Sequence, residues 1–195
     1  MENNKFLELK RRMMITATNR FNANTRLNRH NKFSLWTVIS FSLGLIFVSI
    51  INVVHINSII NSSYIDISLI FFSVTILAIS TALTMSNFGA RAEKFLDSGR
   101  ELHALVLDFE KIIDDISLQN ITNYEKYQKE YEHILSRYEN HKLIDHKTTK
   151  IKNKNEYNQK WYNYIDVFIR NILEYTIYIV LFFIELYCLY YLIKN

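Results

Sequence analysis

Two apolar stretches constrain this chain more than anything else in it. Residues 33–56, FSLWTVISFSLGLIFVSIINVVHI, carry no formal charge over 24 positions, and residues 65–85, IDISLIFFSVTILAISTALTM, carry only Asp66 over 21. About 20 such residues in a helix cross the roughly 30 Å hydrocarbon layer of a bilayer. Both stretches therefore predict membrane-spanning helices, joined by the short uncharged segment 57–64 into a hairpin. Trp36 stands where an interfacial aromatic belongs. Residues 1–32 hold eight Lys/Arg against two Glu, a charge of +6, and Arg91, Lys94 and Arg100 follow the second stretch. The bias of cationic residues toward the cytoplasmic side places both flanks inside and the 57–64 loop outside.

Composition makes the rest helical as well. There is no proline and there are only three glycines, so few positions force a helix to stop. The expected fold is all-α: an integral membrane helical hairpin, a long cytoplasmic helical or coiled-coil arm, and a third apolar helix at the C-terminus. The boundaries read as a basic cytoplasmic N-terminal helix over 1–32, the hairpin over 33–85, the arm over 86–144, a polar linker over 145–160 and an aromatic-rich helix over 161–195. Within the arm, Phe88, Ala92, Phe95, Gly99, Leu102, Val106, Phe109, Ile113 and Ile116 alternate steps of four and three. That 3.5-residue spacing is the seam of a helix packed along a partner. Tyr124, Tyr127, Tyr131, Ile134 and Tyr138 carry the alternation on. The seam fits either an antiparallel helical pair within one chain or association between copies. In the hairpin, Ser40 and Gly44, and Ala78 and Ala82, stand four apart, the spacing at which small residues let membrane helices approach closely.

The last apolar run, 175–193, is long enough to span, and Glu185 interrupts it. Glu174 and Glu185 are eleven residues apart and fall on one helical stripe with Arg170, Tyr178, Leu181, Cys188 and Leu192. Arg170 is four residues before Glu174, within reach of an intrahelical ion pair. Ionisable groups in a membrane helix turn toward protein or water. Glu174, Glu185, Arg170 and Tyr178 are thus candidates to line or gate a pore. A buried structural contact, or a helix lying on the bilayer surface, fits the same pattern.

No catalytic constellation can be assembled, and no cofactor or metal is expected. The six histidines lack the spacing of a zinc helix, there is no glycine-rich phosphate loop, and Cys188, the only cysteine, lies in an apolar run. The basic leader, beside a membrane helix, suits anionic lipid headgroups better than nucleic acid.

Two segments carry a family resemblance. Ile15-Thr16-Ala17-Thr18-Asn19-Arg20-Phe21, with Thr25-Arg26-Leu27 and Lys32-Phe33-Ser34-Leu35-Trp36, resembles the entry to the first membrane helix of SLATT-domain proteins. The stretch from Asn87-Phe88-Gly89-Ala90-Arg91-Ala92-Glu93 to Leu102 resembles the exit from their second. The resemblance covers about residues 5–140, and the third apolar run departs from its two-helix pattern. It implies a prokaryotic conflict-system effector of antiviral defence, a homo-oligomer in the bacterial inner membrane that opens the bilayer when triggered. A nucleotide-signalling enzyme or a reverse transcriptase is the partner it implies. A non-conducting adaptor that recruits a partner through its cytoplasmic helices is the alternative.

Overall fold

The computed structural model describes residues 2–53, 62–153 and 157–194. Every regular element among them is helical: α1 (Glu2–Val53), α2 (Ser62–Ser86), α3 (Phe88–Asp114), a single 3-10 turn (Ile116–Leu118), α4 (Ile121–Arg137), α5 (Leu143–Lys152) and α6 (Trp161–Lys194). Residues 54–61, which include the end of the first predicted span and most of the predicted 57–64 loop, lie outside the described residues. The chain divides into two units. One comprises Met1–Asn28 with Gly89–Arg170, the other Arg29–Phe88 with Asn171–Asn195.

The second unit is the membrane unit. Its three helices are each long and apolar enough to cross a bilayer. Phe41, Val48, Ile51, Ile65, Phe72 and Leu192 form its core. The surface decides what kind of bundle it is. Trp36, Ile70, Leu77, Phe183 and Tyr187 are all more than 60% exposed. A soluble bundle would not leave so much contiguous apolar surface in water, whereas lipid covers it without cost. Gly44 is the tight point: a Cβ there would stand 2.9 Å from Glu185 Oε1 and 3.0 Å from the Phe72 ring. Gly44 therefore stands where α1, α2 and α6 approach closely. Ala78 and Ala82 are exposed and take no part in the packing of this unit.

The passage from α2 to α3 turns on one residue. Asn87 has φ 45°, in the left-handed region that asparagine tolerates better than most side chains, and its N–H donates to Leu83 O at 3.1 Å.

The first unit packs the α3 seam. Ala92, Phe95, Gly99, Leu102, Val106 and Phe109 are buried as the heptad spacing predicts, joined by Ser98 and Leu105. Their partners are Tyr131 and Ile134 of α4 and, from the basic leader, Phe6, Leu9, Met13 and Ala17. The centroids of Phe109 and Tyr127 are 4.9 Å apart, and the Tyr138 hydroxyl donates to Glu101 at 2.7 Å, so α3 and α4 run antiparallel. The Phe21 ring fills the space above Gly99, where a Cβ would meet it at 2.7 Å. Ile113 is half-buried and Ile116 is 83% exposed, because α3 ends at Asp114 and the 3-10 turn carries Ile116 off the seam. Phe88 falls in the membrane unit, stacked on His30 at 5.2 Å.

Two local expectations change. Residues 1–32 are not a separate helix: α1 runs unbroken to Val53, because nothing at position 32 stops it. The segment expected to be linker from residue 145 contains α5, which begins at Leu143. Helix α5 lacks an apolar stripe because polar contacts hold it. The Asp145 carboxylate accepts from the Lys142 N–H at 2.9 Å and capping groups of this kind fix a helix start.

Candidate functional site

The stripe singled out on the last helix is a packing face. Tyr178, Leu181, Glu185, Cys188 and Leu192 are all half-buried or buried, as is Glu174 at its start. Their steps of four and three keep one face of α6 turned inward over nearly five turns. Two polar contacts interrupt that face. Near its beginning, His30 of α1 sits between two α6 groups: its Nε2 is 3.4 Å from Glu174 Oε2 and its Nδ1 is 3.3 Å from the Tyr178 hydroxyl. The Tyr175 ring centre lies 4.8 Å from that of His30 and 5.2 Å from that of Phe33, which in turn stacks on Tyr178 at 6.0 Å. About three turns further on, Ser40 donates to Glu185 Oε2 at 2.5 Å, and Glu185 is only 3% exposed.

Glu185 also forms part of the wall of a cleft of about 430 Å³ between α1 and α6, which Trp36, Thr37, Leu43 and Phe182 line with it. Apart from Glu185 and the hydroxyls beside it, the lining is apolar. A carboxylate buried this far is costly unless it is hydrogen-bonded. Ser40 is the hydroxyl that reaches it, and the absence of a side chain at Gly44 leaves room for its second oxygen.

Arg170 is elsewhere. It lies in the first unit, exposed, and donates from Nε to Asp166 Oδ1 at 2.7 Å, four residues before it and not after. Lys147 also reaches Asp166, at 2.6 Å, and the two cations hold the Asp166 carboxyl below the usual carboxylate range. The expected Arg170–Glu174 pair is not formed. Helix α6 offers Arg170 a carboxylate on either side, and Lys147 draws Asp166 into a three-member contact.

Sequence inspection missed a second polar cluster, in the first unit. The Arg26 guanidinium grips Asp145 with two parallel hydrogen bonds, at 2.9 and 3.0 Å, and the two side chains are 7% and 2% exposed. Asn19, Asn22 and Thr149 are buried beside it, with Lys152 at the edge and His141 and His146 half-buried. Arg20 is fully buried with its guanidinium carbon 5.4 Å from the Phe95 ring centre. Burial and the Arg20 charge push the His141 imidazole below its ordinary pKa, and burial does the same for His146. No group of three or more His, Cys, Asp or Glu fit to hold a metal occurs among the described residues.

Residues 2–192, almost the whole chain, match the family model described as SMODS and SLOG-associating 2TM effector domain family 5. The chain belongs to the SLATT family. Its apolar helices and this membership make it a membrane protein of a family of two-transmembrane effector domains associated with conflict systems. Neither curated proteins nor solved structures give a match. The SLATT match extends through α6, so this third helix of spanning length lies within the domain.

Proposed function

We propose that this SLATT chain is a membrane effector held closed by the contact of α6 with α1, and that it opens the bilayer when a signal separates them. The observation that carries this is the Ser40–Glu185 contact, a carboxylate sealed inside a bundle whose outer surface is apolar. Once α6 leaves α1, Glu185 and Glu174 require water or new partners, which neighbouring copies forming a wet path would supply. Assembly of several copies is part of the proposal, supported by the exposed small-residue stripe of Ala78 and Ala82. The protein would act without catalysis, in the inner membrane of a bacterium, with its N-terminus and first unit in the cytoplasm. The +6 leader and Arg91, Lys94 and Arg100 support that orientation. Its partner would be a nucleotide-signalling enzyme or a reverse transcriptase, and its role anti-phage defence.

Ser40→Ala removes the hydroxyl that donates to Glu185 and should loosen the closed state, giving dye entry into expressing cells without any trigger. Glu185→Gln, which keeps a hydrogen bond and removes the charge, should give a quieter protein with reduced cation preference in liposomes. Wild-type impermeability of Ser40→Ala, together with unchanged cation preference in Glu185→Gln, with insertion and assembly intact, would refute gating through this contact. The same pair of results would favour a second reading, a non-conducting adaptor. An adaptor would have to recruit its partner away from the α3 seam, which α1 and α4 of the same chain already fill.

A further inference from the structure

Glu185, only 3% exposed, is hydrogen-bonded through one of its two oxygens. Ser40 donates to Oε2; among the described residues Oε1 meets no donor and the carboxylate meets no cation. The other hydroxyls along the same cleft are committed elsewhere. Thr37 donates to Phe33 O at 2.8 Å, and the Tyr178 hydroxyl lies 3.3 Å from His30 Nδ1. Gly44 leaves Oε1 its room, since a Cβ there would stand 2.9 Å from it, but a glycine has no side chain to offer in return.

What could complete the bonding of that oxygen is narrowed by the walls around it. A lipid tail lying in the cleft would cover the apolar lining and bring no donor. A metal ion needs several oxygens, and the lining sets one carboxylate among Trp36, Leu43, Ile179 and Phe182. Water can donate, but it is held in a protein by two to four polar partners, and these walls offer few. A molecule with one donor and an apolar body satisfies both the oxygen and the walls. The carboxylate makes a cation the strongest such donor, because hydrogen bonds between charged groups are stronger than neutral ones. Aromatic lining from Phe33, Trp36 and Phe182 suits an organic cation as well. The volume, about 430 Å³, falls in the range of small-molecule sites, roughly 300–1,000 Å³.

We propose that the cleft between α1 and α6 is a binding site for a hydrophobic amine, whose ammonium donates to Glu185 Oε1 while its apolar body fills the space beside Trp36, Leu43 and Phe182. The ligand is a monocation: a second charge would find no counterpart in the walls, and an anion would face the carboxylate. It enters from the bilayer side, since Trp36 and Leu43 in the lining are 68% and 61% exposed. Bound there, it adds a second link between α1 and α6 to the one Ser40 makes and favours the closed protein. The proposal rests on the closed arrangement of these two helices and not on their opening, so binding is read on the resting protein and a failure of gating leaves it standing.

The test uses the full chain carrying Trp161→Phe, which leaves Trp36 as its one tryptophan, in phosphatidylcholine liposomes near neutral pH. Three probes share one hydrocarbon cage and differ in a single polar group: aminoadamantane, adamantanol and adamantane carboxylate. Trp36 emission should change saturably with the amine. The alcohol midpoint should lie about tenfold higher, the difference between a charge-assisted and a neutral hydrogen bond, and the carboxylate should give no saturable change. Simple uptake by the bilayer ranks the probes the other way, because a neutral alcohol enters lipid more readily than an ammonium. Glu185→Gln should raise the amine midpoint by about tenfold and bring amine and alcohol together. If that variant does not insert, the ranking of the three probes on the parent protein decides alone. An alcohol midpoint equal to or below that of the amine, no saturable change with the amine, or an amine midpoint unchanged in Glu185→Gln would each overturn the proposal.

Discussion

The Arg26–Asp145 pair offers the sharpest quantitative test of the first unit. Removing Asp145 by Asp145→Ala strands a guanidinium that is 7% exposed and deprives α5 of the carboxylate that accepts from the Lys142 N–H. An unpaired buried charge costs about 3–5 kcal/mol, and a lost cap about 1 kcal/mol. For a chain of this size about 1 kcal/mol moves the unfolding temperature by roughly 2–4 °C, so a fall on the order of 10 °C follows. Replacing both partners with apolar residues, Arg26→Met with Asp145→Leu, removes the stranded charge and should cost far less than the sum of the single changes. The assay is thermal unfolding of wild type, both singles and the double, closed as a cycle. Hydrogen exchange across residues 143–152 reports on α5 in parallel. A single-variant loss below about 1 kcal/mol, or a double variant as unstable as the two singles added together, would show that the pair is not the anchor its geometry describes.

Three further outcomes follow from the structure. Gly99→Ala puts a methyl group 2.7 Å from the Phe21 ring and should destabilise the first unit by about 1–3 kcal/mol; Phe21→Leu in that background should recover part of the loss, and an unchanged unfolding temperature would refute the close approach. A cytoplasmic reporter should work at the N-terminus and at Asn140, and a reporter active only outside the cytoplasm should work at Lys194 if α6 makes a third crossing, which cytoplasmic activity there would exclude. Burial holds His141 and His146 below their ordinary pKa, so near pH 6 the unfolded chain binds more protons than the folded one, and stability should rise with pH through the ordinary histidine range and fall on acidification below about pH 6.5. Replacing both with Gln should flatten that dependence, measured as unfolding temperature from about pH 5.5 to 7.5, and a slope as steep as wild type would count against it.

The apolar runs and the α3 seam were legible because each obeys one physical rule that the sequence displays directly. A span needs about 20 apolar residues, and a helix seam needs steps of three and four. The inward stripe of α6 was legible for the same reason, down to Glu174, Tyr178 and Glu185. What those residues touch was not, since His30 and Ser40 lie more than 140 positions away in the chain. The leader misled because its charge drew attention from Phe6, Leu9, Met13 and Ala17, which step along α1 at three and four and are fully packed. Asn19, Asn22 and Arg26 are themselves spaced by three and four further along α1, and polar residues at core positions read as surface unless their partners are known. Helix α5 was hidden for that reason too, its anchors Asp145 and Thr149 answering to α1 and not to an apolar core.

Gly44 has a bearing on how this sequence can change over time. The space it leaves is occupied from two directions, by the Glu185 carboxylate and by the Phe72 ring. Three helices therefore impose a single size limit on one position, and each of the three residues is free to vary only if another does. A lineage that loses the acid at 185 releases one side of the limit and can admit alanine or serine at 44, whereas one that keeps the acid must keep the glycine and a hydroxyl at 40. Substitutions at 40, 44 and 185 should accordingly travel together through related sequences, and a bulky residue at 44 beside an intact glutamate should be rare.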